Sequence, residues 1–336
     1  MSHTLTPKLR SHVMTLVSKL KKVLKKKEVA ALVASVCLME YSSGANAFAC
    51  KDATGNVINS SSGGGAGTFT VYANLTPSVQ AGQNLVVDLN SSISCRNELP
   101  QSYIDWVALN DGSAYGGALE NFTGTVKYYN SSYPLPVTNR TKETAFTTSS
   151  YQPWNVMLFL KPISAASGVL INKGSLIARL NMYKYSTNPQ TGQQNGTIDR
   201  FTWNIYANNT VVVPTGGCDV SSRNVTVTLP DYPGTAAVPL TVHCGQNQQL
   251  AYYLTGTTAD TASTIFTNTS SSNPATGVGV QLSNRNGIIA TNKNVSLGTV
   301  GTSPQSLGLT ASYARINGQV VAGNVQSIIG VTFVYE

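Results

Sequence analysis

The stretch that decides the fold is the carboxyl-terminal one, GNVQSIIGVTFVYE at residues 323–336. Every second residue near its end is large and apolar, so these side chains share one face of a predicted strand. They are Ile329, Val331, Phe333 and Tyr335. The hundred or so residues before them are rich in Ser, Thr and Asn and short of large apolar side chains. We therefore expect this face to border a core that the chain does not complete alone, the alternative being an ordinary last strand.

Strand signals also dominate the rest of the chain. Short runs of β-branched and aromatic residues recur, separated by turn sequences such as GGG at 63–65, NDG at 110–112 and DYPG at 231–234. No long stretch shows the 3.6-residue period of an amphipathic helix. The sequence therefore predicts an all-β protein.

Residues 1–47 read as a secretory signal peptide. They hold eight of the 22 Lys and Arg residues, an apolar run at 29–39 and the small residues ANA at 45–47, an A-x-A cleavage pattern. The apolar run is too short to cross roughly 30 Å of hydrocarbon as a helix, and a buried or interfacial helix is the alternative. Cleavage after this pattern makes Phe48 the amino terminus.

The remaining chain is poor in the residues that most function classes need. Its fourteen basic and twelve acidic residues nearly balance, and no segment interleaves Lys or Arg with aromatic residues, so no nucleic-acid partner is expected. It has a single His, His243, and no C-x-x-C pair, so neither a metal nor a cofactor is expected. We expect no enzyme either, the alternative being a glycosidase pair of Glu98 and Asp105.

Four cysteines follow the signal: Cys50, Cys95, Cys218 and Cys244. An even number in an exported chain predicts disulfides, and the pairing local in sequence is Cys50–Cys95 with Cys218–Cys244. A domain break is predicted at the PTGG sequence of residues 214–217. Residues 48–213 and 218–336 then form two domains with one disulfide each.

Five segments together resemble the two-domain tip adhesins of type 1 chaperone-usher fimbriae. They are FAC (48–50), GQNLVVDL (82–89), GSAYGG (112–117), WNIYANN (203–209) and VTVTLPDYPG (225–234). The end of the chain, with Tyr335 in the penultimate position, is also similar to the pilin pattern of this family. The resemblance implies an N-terminal jelly-roll-like lectin sandwich and a C-terminal, incomplete immunoglobulin-like pilin domain that lacks its seventh strand.

The resemblance also implies the partners. A donated strand completes the pilin domain, supplied first by a periplasmic chaperone and then, after passage through an outer-membrane usher, by the adjacent tip pilin subunit. The face of Ile329, Val331, Phe333 and Tyr335 would pair with the chaperone. The first domain begins directly at the FAC sequence of residues 48–50, without a donor extension before it. We therefore expect the chain at the distal fimbrial tip on the cell surface. There it would bind a host glycan, or serve as a structural tip subunit without sugar binding.

Sugar binding needs converging polar groups, since each desolvated hydroxyl must find a partner. In the family the free α-amino group of the N-terminal Phe is one of them, which assigns Phe48. The other predicted sugar-binding residues are Asn97, Glu98, Asp105 and Lys184, with Asn195 or Asp199 as the last polar group. The predicted pocket wall consists of Leu99, Tyr103 and Tyr185.

Lys184 is the largest departure from the mannose-binding members, which carry a Gln there. A Lys ammonium offers donors only, so it does not copy an amide, which also accepts. Galactose-binding relatives carry a Lys in a context similar to MYK at residues 182–184. We therefore expect galactose or N-acetylgalactosamine, with mannose as the alternative.

Overall fold

The computed structural model describes residues 48–59 and 66–336, so the predicted signal peptide at residues 1–47 lies outside the described part. The described chain consists of strands and one short 3-10 turn at Gly117–Leu119. The all-β prediction is confirmed. Within these two ranges, no helix has the length and apolar character needed to cross a membrane.

The first half of the described chain forms seventeen strands. They are β1 Phe48–Asp52, β2 Val57–Asn59, β3 Ala66–Ala73, β4 Ser78–Gln80, β5 Gln83–Asp88, β6 Ile93–Asn97, β7 Ile104–Leu109, β8 Ala114–Tyr115, β9 Gly124–Tyr128, β10 Ser131–Leu135, β11 Thr144–Phe146, β12 Gln152–Pro153, β13 Val156–Leu160, β14 Gly168–Ile171, β15 Leu176–Thr187, β16 Gln194–Ala207 and β17 Val211–Pro214. Three main sheets have the orders β12-β6-β1-β2, β10-β9-β13-β5-β4 and β11-β7-β15-β16-β3, and β14 pairs with β17. All pairs are antiparallel except β16 with β3.

The core of this first domain lies between the sheets. Trp154 and Trp203 are completely buried at its centre, with ring centroids 6.0 Å apart. Alternate residues of β15 and β16 point inward, as the two-residue period of a strand requires. At one end the side chain of Asn84 donates hydrogen bonds to the carbonyls of Pro214 at 2.9 Å and Gly216 at 2.7 Å, which fixes the segment that leads out of the domain.

The second half forms eleven strands. They are β18 Cys218–Val220, β19 Thr235–Ala237, β20 Thr241–Cys244, β21 Gln248–Thr255, β22 Ile265–Phe266, β23 Val278–Asn284, β24 Gly287–Ile288, β25 Val295–Val300, β26 Gln305–Ser306, β27 Thr310–Arg315 and β28 Gly330–Tyr335. The sheet orders are β18-β20-β26, β19-β27-β23-β22 and β25-β21-β28. Tyr252 and Phe266 are fully buried in a separate second core.

Both disulfides join neighbouring strands. Cys50–Cys95 connects β1 to β6, and Cys218–Cys244 connects β18 to β20. The first of them holds the strand that begins at Phe48.

The second domain contains an open groove of about 850 Å³, here called the acceptor groove. Residues 225–229 and 325–329 run along it outside any strand. Val225, Val227 and Leu229 are half-buried, whereas the residues between them are exposed. Two alternating segments flank an apolar gap, so the domain is the incomplete immunoglobulin-like fold that lacks one strand.

The terminal strand β28 lies at the edge of its sheet, paired with β21 on one side only. Phe333 is buried, and Ile329 and Val331 are half-buried along the acceptor groove. Tyr335 behaves differently: its hydroxyl donates to the carbonyl of Ser164 at 2.9 Å and accepts from the N–H of Gly217 at 3.2 Å. Three of the four predicted pairing residues therefore line the groove, and Tyr335 contacts the linker.

Candidate functional site

At one end of the first domain, β7, β15 and β16 run side by side and bring together three of the predicted sugar-binding residues, Asp105, Lys184 and Asp199. Ser186 pairs with Asp105, and Lys184 pairs with Asp199. Directly paired residues of antiparallel strands point to the same face, so all four side chains share the inner face of the sheet. We call Asp105, Lys184, Ser186 and Asp199 the inner cluster.

The inner cluster is a buried ion-pair network. Lys184 Nζ lies 3.1 Å from Asp105 Oδ1 and 3.3 Å from Asp199 Oδ2. Ser186 Oγ donates to Asp105 Oδ1 at 2.6 Å. The exposed fractions are 0% for Asp105, 3% for Lys184 and 2% for Asp199. One ammonium thus faces two carboxylates, and the network carries excess negative charge when both are ionised.

Burial raises the pKa of Asp105 above the ordinary carboxyl value of 3.8, although the charge of Lys184 and the hydrogen bond from Ser186 act in the opposite direction. The pKa values of two other carboxyl groups, those of Asp52 and Asp260, are lowered instead. Burial raises the pKa of Asp52 and of Asp260, but hydrogen bonds from neighbouring residues together outweigh it and lower both values.

We expect the carboxyl of Asp105 to titrate above pH 3.8. A folded-state pKa above the unfolded value means that this group stabilises the fold most below the unfolded pKa, and that this stabilisation is lost as the pH rises through the folded pKa. Carbon-13 NMR of the Asp carboxyl groups measures it, with Asp52 and Asp260 as internal controls that titrate below 3.8. A midpoint for Asp105 in the range of these controls would contradict the expectation.

Phe48 lies beside the inner cluster. It starts β1, pairs with Asn97 of β6, and its ring is 1% exposed. The ring meets that of Phe146 edge to face at 5.5 Å, and Phe146 itself pairs with Asp105. Lys184 Nζ is 5.7 Å from the centre of the Phe48 ring. Cleavage before residue 48 would therefore create an α-amino group next to the network.

The loop that follows β6 is organised by Asn97. Its buried amide donates to the carbonyls of Tyr103 at 2.7 Å and Phe146 at 3.1 Å, and its oxygen accepts from the N–H of Leu99 at 2.8 Å. The polar atoms of Asn97 are thus used by the backbone, and the side chain holds half-buried Leu99 and Tyr103 in place. The carboxylate of Glu98 forms an ion pair with Arg96 at 2.7 Å.

Two further residues of the predicted site are Tyr185 and Asn195. Tyr185 follows Lys184 in β15 and therefore lies on the opposite face of the sheet, where its ring stacks on Trp106. The structure therefore does not bring Tyr185 to the inner cluster. The backbone of Asn195 pairs with Ser186, but its side chain lies outside the described part. Ser186 and Phe146 are not among the sugar-binding residues predicted from the sequence.

Comparisons with known proteins account for both domains. Residues 50–204 match the family model described as "FimH, mannose binding", and residues 205–336 match the model "Fimbrial protein". The chain is 57% identical over 302 residues to the type 1 fimbrin D-mannose specific adhesin of Escherichia coli, which covers 90% of this chain and 97% of that protein. It is 40% identical over 313 residues to the S-fimbrial protein subunit SfaH of a uropathogenic Escherichia coli, covering 89% and 100%.

Among solved structures, the chaperone and tip adhesin subunit complex of Acinetobacter baumannii Csu pili is similar at 10% identity, covering 85% of this chain and 99% of that one. Its TM-score of 0.27 is too low to support an argument. The relatives at higher identity are fimbrial proteins, which places this protein on the cell surface at a fimbrial tip, with a sugar-binding domain. The chain therefore belongs to the two-domain tip adhesins of type 1-like chaperone-usher fimbriae.

Proposed function

We propose that the first domain binds the terminal hexose of a host glycan at the inner cluster, and that the preferred sugar is D-mannose. The proposal is supported by the 57% identity to an adhesin whose name specifies D-mannose, and by the position of the inner cluster inside the stretch matched by the mannose-binding model. Mannose, the alternative to galactose expected from the sequence, is therefore the main proposal.

The proposed location of the site rests on one side-chain oxygen atom. Asp105 Oδ2 is buried and has no hydrogen-bond partner among the residues that the structure describes. Leaving a buried carboxylate oxygen without a donor is costly, so a donor from outside this set is expected to meet it. A sugar hydroxyl is such a donor, and the α-amino group created by cleavage at Phe48 is another.

The expectation of galactose rested on Lys184 as a sugar donor. In the structure its ammonium lies between Asp105 and Asp199 and is almost completely buried. Because at least two of its donor directions point at these carboxylates, the residue acts first as a counter-ion. The replacement of an amide by Lys184 remains the one observation that favours a galactoside, and the same experiment tests both sugars.

The test measures binding of methyl α-D-mannoside and methyl β-D-galactoside to the complete chain after export and signal cleavage. We expect mannoside binding, lowered about 10- to 100-fold by Asp105→Asn. Asp111→Asn, at an exposed carboxylate of the same domain, is the matched control and should bind as the parent does. Galactoside binding alone would replace the proposed sugar. No binding of either by a folded protein would favour a structural tip subunit.

Two features of the second domain support the partners expected from the sequence. The edge strand β28 offers unpaired backbone groups, and the acceptor groove beside it offers alternating apolar positions, which is the arrangement that accepts an added strand. We propose that a periplasmic chaperone fills it first, and that the adjacent tip pilin subunit replaces that strand at the outer-membrane usher.

A further inference from the structure

The outer face of the sheet that holds the inner cluster carries a second group of side chains, here called the outer cluster. It consists of Trp106, Arg140, Tyr183, Tyr185 and Arg200. Tyr185 pairs with Trp106, and Tyr183 pairs with Arg200. Trp106, Tyr183, Tyr185 and Arg200 are each adjacent in sequence to a member of the inner cluster, so they lie on the opposite face. Arg140 joins them through its contact with the Tyr183 ring.

Two members of the outer cluster form a stacked aromatic pair at the surface. The rings of Trp106 and Tyr185 are 6.5 Å apart and 18° from parallel. Both are partly exposed, whereas the two other tryptophans of the chain, Trp154 and Trp203, are completely buried. Partly exposed aromatic rings of this kind suit the apolar C–H face of a sugar ring, because they offer rigid apolar area with polar tips.

Two guanidinium groups adjoin this surface. Arg140 Cζ lies 3.9 Å and Arg200 Cζ 5.7 Å from the centre of the Tyr183 ring, and both side chains are exposed. Arg140 has Glu143 at 3.5 Å, whereas Arg200 has no carboxylate partner in the part of the chain that the structure describes. A guanidinium stacked on a ring keeps its N–H edge available, and that edge matches the two oxygens of a carboxylate.

We propose that the outer cluster is a second carbohydrate site, which takes a sugar that carries a carboxylate. The sugar ring packs on Trp106 and Tyr185, and the carboxylate binds the N–H edge of Arg200. Charge complementarity selects this occupant: Arg140 and Arg200 are both exposed, and Glu143 is already held by Arg140 and by the hydroxyl of Tyr185. Because it lies on the other face, this site works independently of the inner cluster.

The probe is N-acetylneuraminic acid, and its methyl ester is the matched ligand without the negative charge. Binding to the complete, exported chain is followed by tryptophan fluorescence, to which Trp106 contributes the exposed ring. We expect the acid to bind about tenfold more tightly than the ester, and Arg200→Gln to abolish this difference. Arg179→Gln replaces an exposed arginine of β15 and should preserve the preference for the acid.

Equal affinity for acid and ester, absence of binding by either, or an unchanged preference in Arg200→Gln would overturn the proposal. Asp105→Asn, which removes a carboxylate of the inner face, should leave acid binding unchanged. Loss of mannoside binding together with retained acid binding therefore separates the two sites, so failure of one proposal is distinguishable from failure of the other.

Discussion

Replacing Lys184 by Met is expected to destabilise the first domain by about 3–5 kcal/mol, because it removes one partner from a buried ion-pair network. Asp105 and Asp199 would then face each other without the ammonium that lies within 3.3 Å of both. Since burial already raises the pKa of Asp105, we expect the variant to lose more stability at neutral pH than under acid conditions.

Denaturant unfolding monitored by tryptophan fluorescence measures this effect selectively, because all three tryptophans lie in the first domain. Lys173→Met, at an exposed lysine of that domain, is the matched control and should change the stability by no more than about 0.5 kcal/mol. The double variant Lys184→Met with Asp199→Asn should recover part of the loss, since it removes one of the two charges. Equal midpoints for Lys184→Met and Lys173→Met would refute the role of the network.

Filling the acceptor groove is expected to stabilise the second domain by about 4 kcal/mol when a strand peptide is present at roughly a thousand times its Kd. The physical reason is burial of half-exposed apolar side chains such as Val225, Val227 and Leu229, together with new backbone hydrogen bonds along β28. A peptide with an apolar residue at every second position matches this alternation.

Amide hydrogen exchange in β23 and β27 is the appropriate measurement, because the tryptophans do not report on this domain. Val227→Asp places a charge on the inner side of the groove and should abolish the protection. Thr228→Asp places the same charge on the exposed side of the same segment and should retain it. If both variants were protected equally, the peptide would be bound outside the groove.

Much of the fold follows from local sequence patterns. The alternation of apolar and other residues at the end of the chain predicts a strand with one apolar face that borders an incomplete core. In the structure, Ile329, Val331 and Phe333 of this face line the acceptor groove. Tyr335 continues the same alternation but contacts Ser164 and Gly217, because the strand ends at the linker. A two-residue period predicts on which face of the strand a side chain lies, but it does not predict which residues that face contacts.

The site was predictable in part. The resemblance led to Asp105, Lys184 and Asp199, but it did not show that one ammonium joins the two carboxylates, because that depends on which residues of β7, β15 and β16 lie opposite one another. Strand alternation alone places Tyr185 on the face opposite to that of Lys184. The use of Asn97 by distant backbone carbonyls depends on chain segments that only the folded structure brings together.

The engagement of Phe48 and Tyr335 has a practical consequence for labelling. Phe48 is buried beside the inner cluster, and the hydroxyl of Tyr335 is bonded to the linker, so an affinity tag or a fluorophore attached at either residue would disturb the part of the molecule under study. The exposed hairpin turn of Arg285 and Asn286, between β23 and β24, is a better attachment point. A probe there would leave the contacts of Phe48 and Tyr335 unchanged.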